Sequence, residues 1–177
     1  ENLPAMEKRG PLASDASMTD EIIREADDTD DPFFFFAVSL QNHGPYEPNR
    51  YADATHAVDA PTSQWARDSL QSYAEGAADA DHGLARLVEW ANKRQRPTII
   101  VFFGDHLPPL GPVYVETGFL QNNVAPRREP SPEAARLHHE TPLVIWSNRS
   151  GPARDMGPVS PAFLPLHILT TAGISHP

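Results

Sequence analysis

The chain reads as an α/β protein, a mainly parallel sheet flanked by helices. Three continuous apolar, β-prone runs predict this: FFFFAVSL (33–40), TIIVFF (98–103) and PLVIW (142–146), each followed by turn chemistry. Unbroken apolar runs of this length fit strands buried on both faces, as in a parallel sheet. A long segment of helical period separates the first two runs. The order is therefore strand, helix, strand, excursion, strand, helix.

Residues 1–17 are polar, carry Pro and Gly and show no period, so they read as a loop or arm, with one domain over 18–177. SMTDEIIREADD predicts a short helix. Thr19 is a plausible N-cap, Asp20 and Glu21 suit the positive end, and Ile22, Ile23 and Ala26 form an apolar face. The acidic run 27–31 ends it, and Pro32 opens the first strand. That strand leads into QNHGPYEPNRY, where Asn42, Gly44 and Pro45 are turn residues and His43 stands where the chain leaves the sheet.

After Pro61, with Thr62 or Ser63 as cap, apolar or small residues at Ala66, Leu70, Tyr73, Ala77, Leu84, Leu87, Val88 and Ala91 recur at steps of three and four. This is the crossover helix. Gly76 and Gly83 cost it ~1 kcal/mol each relative to Ala, which leaves room for a break or kink. The second strand exits through GDHLPPLGP. Residues 112–136 show no sustained period and read as an irregular excursion. The third strand ends in NRSGP, and SPAFLPLHILTTAGI predicts a closing helix with Leu164 and Ile168 facing inward.

Composition narrows the chemistry. The net charge is -10 and the basic residues are scattered, so no stripe tracks a phosphate backbone and nucleic acid is excluded as a partner. Cysteine is absent, which removes disulfides, Cys-ligated zinc and a thiol nucleophile from this chain. The 19 prolines, about twice the ordinary ~5%, foretell long irregular connections. No apolar run reaches the ~18 residues of a membrane span, and no signal peptide is evident. With Glu1 in first place, a processed product or an excerpt of a longer protein is expected.

In open parallel sheets, ligands bind outside the carboxyl ends of the strands. NHGPY and GDHLP both lie at that end of successive predicted strands, and Gly104 would let the chain turn and deliver Asp105 and His106 there. A carboxylate plus an imidazole suits zinc, manganese or iron rather than an oxygen-only ion such as calcium. Taken alone, an Asp-His pair is more often a loop cap beside a satisfied imidazole. The spacing by itself carries little.

The wider pattern is more specific. PFFFFAVSLQNHGPY, TIIVFFGDHLP and TPLVIWSN, in this order, resemble the lipoteichoic acid synthase and phosphoglycerol transferase branch of the alkaline phosphatase/sulfatase superfamily. SMTDEII resembles the short Ser-Asp-Glu helix of that branch, DADHGLARLVEW the helix before its Gly-Asp-His strand, and VSPAFLPLHILTTAGI its closing helix. The resemblance covers roughly residues 17–175 and departs where a Trp-Gly pair often precedes the first helix, since Ala16 and Ser17 stand there.

The resemblance implies that residues 18–177 are the C-terminal portion of a sulfatase-like domain. It implies an enzyme that transfers phosphoglycerol or cleaves a phosphodiester with one divalent metal, manganese or magnesium, with zinc as the alternative. On this pattern Asp105 and His106 bind the metal and His43 the anionic head group of a phospholipid or glycan. His139 is a further candidate ligand, with His138 and His139 as exposed loop histidines the ordinary alternative. Tyr46 reads first as packing the turn and second as lining the substrate pocket, and Asp81 is a recurrent helix aspartate that reads as solvated or capping. The nucleophile and acidic ligand are expected upstream, with the rest of the catalytic domain, so no catalytic residue is assigned here and this chain alone should be inactive. The parent protein is expected to be membrane-anchored and extracytoplasmic. The alternatives are a sulfatase-type ester hydrolase and a non-catalytic domain that binds anionic glycans or lipid head groups.

Overall fold

The computed structural model describes residues 6–175. They form two compact units, one running up to Arg86 together with Pro108–Arg128, the other built from Leu87–Leu107 together with the chain from Glu129 onward.

The first unit begins with a hairpin of β1 (Lys8–Arg9) and β2 (Leu12–Ala13), paired antiparallel with Lys8 opposite Ala13. Helix α1 (Asp15–Asp27) follows directly. The described part of residues 1–17 is therefore a hairpin and the first turn of a helix, where a loop or arm was expected. The cap is Ser14, whose Oγ accepts from Ser17 N at 3.1 Å, and not Thr19. Thr19 is instead buried, and a Cβ added to Gly83 would lie 3.0 Å from its Oγ1. Close contact with a glycine on another helix decides where the threonine goes.

Residues 33–40 run extended, every one of them exposed, with Phe34 at 81% and Phe36 at 72%. No strand among the described residues pairs with them. The expected strand buried on both faces is corrected: the run encodes a burial that the other described residues do not supply.

Helix α2 (Gln64–Lys93) is continuous over 30 residues, with Ser63 Oγ accepting from Ala66 N at 3.2 Å. Neither glycine breaks it. The unit's core lies against its first turns, where Ala66 packs with Tyr46, Leu110, Val113, Tyr114 and Leu120, flanked by Leu70 and Tyr73. Three of these come from the expected irregular excursion, which contains helix α3 (Pro112–Glu116). Pro112 fits the first turn of a helix, where its missing N–H costs nothing.

In the second unit, β3 (Ile99–Phe103) and β4 (Leu143–Ser147) pair antiparallel, with Ile99 opposite Ser147 and Phe103 opposite Leu143. The expectation of a parallel sheet fails for this pair. The expected burial on both faces is corrected as well, since Phe102, Phe103 and Val144 are exposed. A continuous apolar run does not record direction, which depends on where the connection ends. Here it ends with α4 (Pro132–His139), which delivers the chain to the carboxyl end of β3.

Asn148 ties the unit together. Its Nδ2 donates to Ala91 O at 3.1 Å, Arg94 O at 3.2 Å and Arg96 O at 2.9 Å, and its Oδ1 accepts from Thr98 N at 2.9 Å. One amide thus binds carbonyls from the last turn of α2 and from the chain just beyond it. A 3-10 turn (Pro161–Phe163) and α5 (Leu164–Thr171) form the closing helix, with Leu164 and Ile168 half-buried. Among the described residues, no helix is long and apolar enough to cross a membrane.

Candidate functional site

The two histidine-bearing turns lie in different units, His43 in the first and Asp105 with His106 in the second.

The turn from Gln41 to Tyr46 is braced by side chains. Gln41 is 1% exposed, accepts from Asp15 N at 2.8 Å and donates to Asp79 Oδ2 at 2.6 Å. Asp79 in turn accepts from Arg9 Nε at 2.5 Å, and Arg9 also bonds Asp53 at 2.7 and 2.8 Å. Burial pushes the Asp15 carboxyl above its ordinary range, and the charge of Asp79 acts in the same direction. Asn42 Nδ2 donates to Tyr73 O at 3.2 Å. A Cβ on Gly76 would fall 2.2 Å from Asn42 Oδ1, so α2 carries a glycine where this turn docks. Gly76 thus serves close approach within a continuous helix.

Tyr46 is 6% exposed, donates its hydroxyl to Asn42 O at 2.8 Å and packs edge-on to Tyr73 with ring centroids 5.4 Å apart. Burial raises its phenol to about 12. Tyr46 thus braces the turn, the first of its two readings. His43 itself is exposed, and its Nδ1 lies 2.9 Å from Gly44 O. A carbonyl only accepts, so Nδ1 carries the proton and Nε2 is left for a ligand.

The second turn is held mainly at its first residue. Gly104 N donates to Pro142 O at 3.2 Å and Gly104 O accepts from Thr141 Oγ1 at 2.6 Å. A Cβ on Gly104 would lie 3.1 Å from Thr141 Cβ, so this glycine serves close approach to the chain entering β4. Beyond it, Asp105 and His106 have side chains 76% and 57% exposed, with Asp105 Oδ2 and His106 Nε2 3.5 Å apart. His106 Nδ1 is 2.7 Å from Leu107 O, which fixes its proton there and leaves the Nε2 lone pair beside the carboxylate.

This arrangement fits two donors for one cation. Metal-bound histidines typically donate the other ring nitrogen to a carbonyl or carboxylate, as His106 does here. Among the described residues, no group of three or more His, Asp or Glu side chains is placed to hold an ion. Asp105 and His106 are two candidate donors, fewer than a complete site requires.

His139 and Asp105 line one concave surface of the second unit, with Gly104, Thr141 and Trp146. His139 Nε2, however, lies 3.0 Å from Glu129 Oε1, and His138 Nδ1 is 3.1 Å from both oxygens of the same carboxylate. The structure gives His139 a protein partner, Glu129, that the sequence did not single out. Asp81 is exposed.

The model of the sulfatase family matches residues 1–174. A Rhizobium meliloti protein named for cyclic β-1,2-glucan modification is 54% identical over all 177 residues, which span 28% of its length. The capsular polysaccharide biosynthesis protein RkpI of the same organism is 33% identical over 106 residues, 59% of this chain and 18% of that protein. Among solved structures, the Streptococcus pyogenes phosphoglycerol transferase GacH in complex with sn-glycerol-1-phosphate matches 93% of this chain and 39% of its own. The TM-score is 0.67 at 19% identity, a likeness of fold.

Proposed function

The chain belongs to the sulfatase family, and on that premise we propose that it is part of a metal-dependent enzyme that transfers phosphoglycerol to, or cleaves a phosphodiester on, a glycan of the cell envelope. The observation that carries the reading is the pair Asp105 and His106, 3.5 Å apart, with the second ring nitrogen of His106 already engaged by Leu107 O. The names of the two Rhizobium relatives, both concerned with polysaccharide, support a glycan acceptor and extracytoplasmic action.

On this reading, Asp105 and His106 hold a divalent ion, manganese or magnesium, with zinc as the alternative. Such an ion supplies polarisation of a phosphoryl oxygen. His43 binds the anion. With Nδ1–H on Gly44 O, the ring faces substrate through Nε2, which donates to an anionic oxygen when the imidazole is protonated. Tyr46 and Asn42 keep the turn in shape behind it. The nucleophile and remaining metal donors belong to parts of the enzyme outside residues 1–177, so this chain alone turns nothing over.

The test is metal content measured beside turnover in the intact enzyme. His43→Ala should keep the ion and lower the rate by ~10² to 10³, the range for removing one donor to developing charge. Asp105→Ala should lose ion and activity together. Loss of the ion from His43→Ala would assign His43 to ligation, and an unchanged rate would reduce NHGPY to a turn.

A further inference from the structure

We infer that Arg50 is the positioning residue that sets the tautomer and direction of the His43 ring, a role that rests on the anion-binding reading of His43. Arg50 Nη1 donates to His43 O at 2.7 Å and Pro45 O at 2.9 Å, and Nη2 donates to Gln41 O at 2.6 Å. Three carbonyls spaced two residues apart thus turn toward one guanidinium. The carbonyl between the last two, that of Gly44, turns to the His43 ring and accepts from Nδ1. With His43 O and Pro45 O held on the guanidinium, Gly44 O keeps the direction that captures the ring.

The clamp is itself held. The Arg50 carbon Cζ lies 5.9 Å from the Tyr46 ring centroid and 5.7 Å from that of Tyr51, and Tyr51 Oη donates to Gln41 O at 3.3 Å. Stacking against two rings, one of them fastened to Gln41 O, restricts where the guanidinium can go. Its Nε is buried without a hydrogen-bond partner, so the two terminal nitrogens make these bonds. A planar fork can reach three fixed carbonyls at once, whereas an ammonium radiates its donors from a single point. The clamp also keeps a permanent positive charge against the backbone that carries the proposed anion-binding imidazole.

The experiment uses the 177-residue chain and long-range proton–nitrogen NMR of its imidazole rings, with far-UV circular dichroism and Tm recorded to establish folding. Wild type should show His43 as the Nδ1–H form. Arg50→Ala and Arg50→Lys should both shift it to a mixture of tautomers, while His106, whose Nδ1 bonds Leu107 O, stays unchanged as the internal control. Should Arg50→Ala unfold, Arg50→Lys decides. An unchanged His43 tautomer in a folded Arg50 variant overturns the inference, as does full restoration by lysine, because charge would then suffice without the fork.

Titration with sn-glycerol-1-phosphate separates this claim from the reading on which it rests. Both Arg50 variants should bind it about 10- to 100-fold more weakly, the scale of a misplaced binding group. If His43→Ala binds as wild type does, the anion-binding reading falls, while the tautomer result still decides what Arg50 does.

Discussion

The turn at 41–46 and the turn at 104–106 each present a histidine whose Nδ1 is tied to the next residue's carbonyl, but they are built in opposite ways. Behind His43 stand Gln41, Asn42, Tyr46 and Arg50, each bonded to backbone or to a buried side chain. Behind Asp105 and His106 the hold is at Gly104, and both functional side chains stand largely in solvent. The segments that feed them reverse the order: β3 is paired along its length, whereas residues 33–40 are exposed and join no strand ladder among the described residues. Turn rigidity therefore does not come from strand pairing here. The turn proposed to bind the anion is braced by its own side chains, while the turn proposed to bind the metal presents two donors, Asp105 and His106, largely in solvent.

That difference is open to attack at the point where the first turn meets α2. Gly76→Ala places a Cβ within 2.9 Å of three Asn42 atoms, one of them Asn42 Cβ, so the turn itself must move. Overpacking of this kind costs ~1–3 kcal/mol, offset by up to ~1 kcal/mol of helix propensity. Chemical denaturation should show a net loss of ~1–2 kcal/mol, and a stabilised Gly76→Ala would mean that the turn is not docked there.

A smaller effect, distinguished by its sign, comes from Asp15 under Gln41. Its carboxyl is 3% exposed and raised above the ordinary value of 3.8, first by burial. A raised carboxyl pKa means that the folded state favours the proton, so this contribution is present below pH ~3.8 and is lost as pH rises through the folded value. Asp15→Asn should therefore stabilise the chain at pH 7 and give progressively less advantage on acidification. A Tm difference independent of pH would show that the carboxyl is not perturbed.

Smallest of all should be the effect on folding of Asp105→Ala and His106→Ala. Exposed substitutions of this kind usually fall within ~0.5 kcal/mol. A loss above ~1 kcal/mol in either would show that the second turn is as structural as the first.

Much of this arrangement is legible in the sequence. The three- and four-residue period located α2, Ser63 served as its cap, and Gly and Pro marked both turns, with Asn42 in the first. What escaped has specific causes. Ser14 and Thr19 are comparable caps by chemistry, and only burial against Gly83 removes Thr19 from the choice. The β3–β4 direction depends on the path between the strands, which apolar content does not record. FFFFAVSL announces burial, yet residues 33–40 find no strand partner among the described residues. Gly76 within a helical period was the available sign of close approach. Arg50 gave no sign, because an arginine after a turn becomes a clamp only through the directions of three carbonyls.

The division of labour between the turns is tested most directly by titrating manganese into the chain while following the electron paramagnetic resonance signal of the free ion, for wild type, His43→Ala and Asp105→Ala. With only two protein donors, binding should be weak in wild type, equal in His43→Ala and absent in Asp105→Ala. Persistence of binding in Asp105→Ala, or its loss in His43→Ala, would contradict the assignment of the ion to one turn and the anion to the other.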